Sequence, residues 1–400
     1  MINKKMYELG SKASAIRELF EYGKKRKQEI GEDNVFDFSL GNPSVPSPSI
    51  VNETLINLIN NVDSTTLHGY TSAPGDLNVR ESIVNYLNKT YNTNLKSEFV
   101  YLTVGAAASL TSTFNGILNE GDEVITFAPY FPEYKVFVEK AGGILKTIKC
   151  LEPTFKLDLS TLEKEINENT KAILINSPNN PTGKVISEEE LNNLVSILNK
   201  KSKEFSHPIF LISDEPYREL VYDDIKVPYI TNYYDNSIVC YSFSKSLSLP
   251  GERIGYIIVN PKCIETVMVY KAIAGAARSL GYVCAPSLFQ YMIPNCLGKT
   301  SDINIYKENR DILYNTLSEY GYNLVKPEGA FYLFMKSLDE DAMKFSELAK
   351  KYELLLVPSD SFGYPGYIRI SYCVSKEQII SSLPAFKKLI EEYKESKWAN

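Results

Sequence analysis

The 400-residue chain has only two histidines, His68 and His207, far apart and outside any H-E-x-x-H pattern. That argues against a catalytic zinc site and against a histidine-based triad. Among its 21 glycines no two are separated by a single residue, so the G-x-G-x-x-G turn of dinucleotide binding is absent. The nearest approach to a P-loop, Gly116 to Gly121, is followed by Asp122 where lysine is required. Basic excess is also missing. With 43 Lys and Arg against 49 Asp and Glu, the formal charge is -6, the wrong sign for nucleic acid or an anionic membrane. Apolar runs such as Gly329 to Met335 fall far short of the ~20 residues that span a bilayer. The six cysteines (Cys150, Cys240, Cys263, Cys284, Cys296 and Cys373) form no C-x-x-C and no close pair, which points to reduced thiols. No apolar secretory h-region opens the chain, so the expected location is cytoplasmic.

Against these absences stands an ordinary globular composition, 44% apolar and 23% charged, with length for two or three domains. Ile16, Leu19 and Phe20 recur at helical spacing over residues 11–28, and Gly31 closes that segment. The Pro-rich stretch Gly41 to Pro48 reads as extended loop at a domain boundary. From about residue 100 strands and helices alternate. Phe99 to Val104 and Glu123 to Phe127 read as strands around a small-residue helix from Ala106. Lys171 to Asn176 is a buried strand, Ser187-Glu188-Glu189-Glu190 a capping box opening a helix, and Ile209 to Ser213 the next strand. Strand, helix and strand imply a parallel crossover, extended by Ile238 to Tyr241 and Ile254 to Val259. After residue 300 come an amphipathic helix (Ile303 to Tyr320), strands at Ala330 to Met335, Leu354 to Val357 and Tyr367 to Ser371, and a short helix near Phe345 to Tyr352. The expected fold is α/β: a large domain on an open, mostly parallel sheet, and a smaller α+β domain drawn from both termini.

In such a sheet ligands bind outside the carboxyl ends of the strands. Those positions here carry Gly105 opening a helix, Ser177 to Gly183, Asp214 with Tyr217, and Ser242, Ser244 and Lys245 followed by Arg253. Together they offer an amine nucleophile, a carboxylate, a phenol, an amide and an anion cradle.

The segment Ser-Phe-Ser-Lys-Ser-Leu-Ser-Leu-Pro-Gly-Glu-Arg-Ile-Gly (Ser242 to Gly255) resembles the cofactor-lysine segment of the class I/II aminotransferases. Asn-Pro-Thr-Gly (Asn180 to Gly183), Asp-Glu-Pro-Tyr (Asp214 to Tyr217) and Ile-Arg-Ile-Ser (Ile368 to Ser371) match further family signatures in the family's order. The resemblance, from Leu40 to Ser371, implies a pyridoxal 5'-phosphate (PLP) enzyme of fold type I. It assigns residues 1–46 and 297–400 to the small domain and 47–296 to the cofactor-binding domain. It also implies that Lys245 forms the imine link to the cofactor and then serves as base, while Asp214 holds the pyridine nitrogen. Tyr217 and Asn180 would bond the 3-hydroxyl. Gly105, Ala106, Ala107, Ser242, Ser244 and Arg253 would hold the phosphate, with Tyr70 reaching across a homodimer. Arg369 would clamp the substrate α-carboxylate beside Asn180. Phe131 stacks on the ring in the family, with core packing as the alternative; Gly41 touches the carboxylate or is only a turn glycine. Arg278 lies near the side-chain clamp of dicarboxylate-specific relatives, or is a surface or interface residue.

The implied activity is transfer of an amino group between an L-amino acid, aspartate or a broad range, and a 2-oxo acid such as 2-oxoglutarate. A carbon–sulfur lyase would share Lys245, Asp214 and Arg369. A PLP-binding regulator would carry a DNA-binding domain ahead of this sequence. Two departures bear on the substrate: Ser359 stands where many members have glycine, and the first loop reads Gly-Asn-Pro (Gly41 to Pro43) rather than Gly-Glu-Pro.

Overall fold

A computed structural model describes residues 2–11 and 15–398. The chain forms two compact units. The larger, Val45–Asn179 with Val185–Ile303, is built on seven strands: β1 (Val100–Thr103), β2 (Glu123–Ala128), β3 (Ile144–Lys149), β4 (Thr170–Asn176), β5 (Phe210–Asp214), β6 (Ser237–Ser242) and β7 (Gly255–Val259). They lie in the order β1-β7-β6-β5-β4-β2-β3. All run parallel except β7, which is antiparallel to both of its neighbours. Because β7 is reversed, its amino end lies beside the carboxyl ends of β1 and β6, where Gly255 pairs with Thr103 and Ser242.

The inner strands β2, β5, β6 and β7 are buried along their whole length, and β4 at every residue but Lys171, as expected for a sheet covered on both faces. Edge strand β3 is exposed at Ile144, Thr147 and Lys149, and its Lys146 and Lys149 suit an edge that must not pair further. The crossover from β4 to β5 runs through helix Glu188–Phe205. Its capping box is complete: Ser187 Oγ accepts from the Glu190 amide, and Glu190 Oε2 accepts from the Ser187 amide, both at 3.2 Å. Leu191, Leu194, Val195 and Leu198 form its buried face.

The smaller unit gathers Met1–Ser44, Asn180–Lys184 and Asn304–Asn400. Its antiparallel sheet orders Val357–Pro358, Tyr367–Ser371, Tyr332–Lys336 and Leu324–Val325. Of the helix expected over 11–28, residues 12–14 lie outside the described residues; Ser11 ends a separate helix, Lys4–Ser11, and helix Ala15–Ile30 covers 15–28. Leu19 packs with Leu355, Val357 and Phe362, and strand Phe36–Asp37 pairs in parallel with Leu354–Leu355. An Arg26–Glu353 ion pair at 2.6 Å also ties the early segment to the late one. The architecture is the expected one, a mostly parallel α/β unit with a smaller α+β unit that takes both terminal segments. No helix among the described residues is long and apolar enough to cross a membrane.

Candidate active site

At the end of β5, Asp214 is 5% exposed. Its Oδ2 accepts a hydrogen bond from Tyr134 Oη at 2.5 Å, and its backbone carbonyl accepts from Asn176 Nδ2 at 2.9 Å. Oδ1 is buried with no hydrogen-bond partner among the described residues. Burial pushes the Asp214 carboxyl up to about 7; the Tyr134 bond pulls it down and nearby Glu215 pushes it up. Tyr134 belongs to helix Glu133–Lys140 and is fully buried. Phe131, half-buried, meets the Tyr134 ring edge-on at 5.6 Å and 84°. Tyr217, three residues past Asp214, is buried.

Lys245 is half-buried on the four-residue helix Phe243–Ser246 that follows β6. Ser242 caps that helix: its Oγ accepts from the Ser244 amide at 3.1 Å and donates to Ser244 Oγ at 2.7 Å. Gly105 has φ 90° and opens helix Ala106–Ile117 with no side-chain cap, so the first-turn amides near Ala106 and Ala107 keep their capacity for an anion. A Cβ on Gly105 would lie 2.9 Å from Arg253 Nη2, so only glycine lets the guanidinium approach this closely. Arg253 is exposed ahead of β7, with Nη1 donating to the Pro250 carbonyl at 2.9 Å. Tyr70 is 97% exposed.

In the smaller unit Arg369 is 2% exposed in strand Tyr367–Ser371. Nη2 donates to the Ser39 carbonyl at 2.5 Å and Nη1 to Asn180 Oδ1 at 3.3 Å. The guanidinium carbon lies 4.7 Å from the Tyr332 ring centroid and 5.2 Å from that of Phe362. Gly41 lies against Tyr332: a Cβ there would come within 2.0 Å of the tyrosine Oη. Ser359 is fully buried; its Oγ donates to the Tyr364 carbonyl at 2.5 Å and accepts from the Tyr367 amide at 3.0 Å. The hydroxyl thus staples its own loop, a task glycine could not perform. Asn42 is exposed.

The structure therefore brings together Ser242 with Ser244, Gly105 with Arg253, and Asn180 with Arg369. Arg278 is exposed on the last turn of helix Thr266–Ser279. Sequence reading missed Tyr134. It stands three residues beyond Phe131, in the first turn of the helix that follows the Pro-rich turn, and nothing in its spacing links it to an aspartate 80 residues later.

This donor set fits PLP. A buried carboxylate with one unpartnered oxygen suits a protonated ring nitrogen, uncapped amides with two hydroxyls and a guanidinium suit a phosphate, and a half-buried lysine suits imine formation.

The model of the family "Aminotransferase class I and II" matches residues 33–383. The crystal structure of an amino transferase from Eubacterium rectale is 55% identical, with a TM-score of 0.97 over 98% of this chain and 99% of that one. The aspartate aminotransferase of Thermotoga maritima is 31% identical over 375 residues, 92% of this chain and 95% of that protein. A probable aspartate/prephenate aminotransferase of Aquifex aeolicus is 32% identical over 380 residues, 90% and 92% of the two chains. Likeness of this extent makes the chain a member of the class I and II aminotransferases, a PLP-dependent enzyme that transfers amino groups between amino acids and 2-oxo acids.

Proposed function

We propose that this aminotransferase uses aspartate, or a range of L-amino acids that includes it, as donor and 2-oxoglutarate as acceptor. The observation that carries this reading is the near full-length likeness to the aspartate aminotransferase of Thermotoga maritima. Bound PLP supplies an aldehyde for the substrate amine and a cationic ring that withdraws electrons from Cα. Lys245 holds the cofactor and then accepts the Cα proton at Nζ. Asp214 keeps the ring nitrogen protonated through Oδ1, its orientation held by the Tyr134 bond to Oδ2. Tyr217 and Asn180 donate to the 3-hydroxyl oxygen, and Phe131 packs on the ring. Gly105, Ala106, Ala107, Ser242, Ser244 and Arg253 hold the phosphate.

Arg369 fixes the substrate α-carboxylate, assisted by Asn180 and the Gly41 backbone. Its guanidinium is already oriented by the Ser39 carbonyl and Asn180, so little side-chain entropy remains to be lost on binding. The almost complete exposure of Tyr70 supports a homodimer in which the partner's Tyr70 completes the phosphate site. Six free cysteines support a cytoplasmic location.

The test is a panel of twenty amino acids, scored by bleaching of the cofactor band and by products with 2-oxoglutarate. Oxaloacetate and glutamate from aspartate are expected. Release of ammonia and pyruvate without glutamate would replace transfer by elimination, and no bleaching by aspartate would overturn the donor assignment.

A further inference from the structure

Behind Lys245 lies a buried hydrogen-bond column that the transfer chemistry leaves unused. Tyr241 precedes Ser242 on β6, so its side chain points to the opposite face of the sheet. Its ring is stacked on Tyr256 at 4.7 Å and meets Phe243 edge-on at 5.0 Å. Tyr241 Oη lies 2.9 Å from Glu219 Oε1 and 2.9 Å from Ser246 Oγ. Ser246 is 2% exposed and adjoins Lys245, and its carbonyl accepts from the Ser301 amide at 2.8 Å. Glu219 Oε2 is shut off from solvent without a hydrogen-bond partner among the described residues, beside a cavity of about 20 Å³ walled by Tyr86, Tyr241, Ser246 and Lys299.

We propose that Glu219 is a positioning residue for Lys245: through Tyr241 and Ser246 it fixes the short helix that carries the lysine, and its proton sets the direction in which the column runs. The inference rests on Lys245 being the cofactor's attachment point. Each hydroxyl has a single proton to donate. When Glu219 is ionised, Tyr241 donates to it and Ser246 must donate to Tyr241. When Glu219 is protonated and donates to Tyr241 Oη, Tyr241 turns to donate to Ser246 Oγ, and the serine keeps its proton but turns it away from Tyr241. Two hydrogen-bonded states of the lysine's support therefore differ by one proton.

The groups facing Glu219 leave it free to titrate. Arg218 is next in sequence, but its charge is engaged by Glu215 at 2.5 Å and by the Val227 and Pro228 carbonyls, beside the mutually stacked rings of Tyr91 and Tyr229. Tyr86, Tyr241 and Tyr256 are neutral phenols, and Lys299 is exposed at the cavity wall. Burial is the largest influence on Glu219 and holds it up at about 7, against the opposing pull of Arg218 and of the Tyr241 bond.

The experiment uses the PLP-loaded enzyme, following kcat, KM and the absorbance of the lysine-linked cofactor from pH 5.5 to 9. The native protein should show an inflection near pH 7 in kcat and in the absorbance, with KM flat. Glu219→Gln should erase the inflection and lower kcat roughly tenfold at pH 8, as mispositioning of a reacting group does. Ser246→Ala should do the same, whereas Ser246→Thr, which restores the hydroxyl, should keep the native profile. A purely packing role would lower the melting temperature of the variants and leave the inflection in place; an inflection retained in Glu219→Gln or Ser246→Ala overturns the proposal. If Glu219→Gln does not fold, the Ser246→Ala and Ser246→Thr pair decides, and identical profiles for the two also overturn it. Borohydride reduction of the native enzyme separates the two levels. A label on Lys245 with unchanged profiles ends this inference alone, and no label on Lys245 ends the attachment reading with it.

Discussion

Burial alone disfavours the ionised form of Asp214, and Tyr134 is the neutral donor that partly offsets it. Removing that donor raises the carboxyl further, because a hydrogen bond to the charged form favours that form. In the loaded enzyme the cationic ring would lower the Asp214 limb of the kcat profile below the Glu219 inflection; Tyr134→Phe should move that acid limb to higher pH and lower turnover at pH 7 roughly ten- to hundredfold, the range expected from a charge-assisted bond worth ~1.5–3 kcal/mol. An unmoved acid limb would show that Tyr134 only fills space. Arg369 is a similar case with the opposite charge. Two of its donors are already engaged by Ser39 and Asn180, a division of labour that the compact ammonium of lysine cannot reproduce. Arg369→Lys should raise KM for every amino acid donor by roughly tenfold or more, and steady-state kinetics with two unrelated donors would check it.

At the scale of elements, what could be read from the residues depended on how locally each element is specified. Helix Ile303–Tyr320 lies where its periodicity and Gly321 put it, and the helix Glu188–Phe205 begins at its capping box. Such signals are complete within a few residues. Edge strand β3 escaped notice because Lys146, Thr147 and Lys149 interrupt Ile144, Leu145 and Ile148, leaving no apolar run. Helices Ser287–Cys296 and Lys376–Trp398 contain Pro294 and Pro384, which break the usual pattern. The same division runs through the site. Motif residues directly after strands were legible, whereas Tyr134 with Asp214 and Glu219 with Ser246 are joined only by tertiary folding. The capping box allows a direct check of local specification: Ser187→Ala should lower stability by ~1 kcal/mol in urea unfolding, with kcat unchanged because the residue touches none of the proposed site. A loss within ±0.2 kcal/mol would mean, on the order of magnitude expected for caps, that packing of Leu191, Leu194 and Leu198 alone holds the helix start.

For the whole molecule, the two carboxyls held up to about 7, Asp214 and Glu219, link the fold to pH. Their ordinary values are 3.8 and 4.5, so between those values and about 7 the folded protein binds more protons than the unfolded chain. Stability must then fall as pH rises through this window, since the sign follows the excess of protons bound by the folded state. The contribution is fully present below about pH 4 and lost above about pH 7, and for Asp214 it is on the order of a few kcal/mol. A cation against Asp214 Oδ1 reverses that part, because it favours the ionised carboxylate. The cofactor-free protein should accordingly melt at a lower temperature at pH 8 than at pH 6, and Asp214→Asn should shrink the difference to the part Glu219 contributes. Saturating PLP should raise the melting temperature of the native protein more at pH 8 than that of Asp214→Asn, beyond the mass-action stabilisation common to any ligand. Parallel melting curves for native and Asp214→Asn proteins across pH 5.5 to 8 would mean that the carboxylate is charged in the empty fold, and the buried, singly bonded Asp214 would then need another counter-charge.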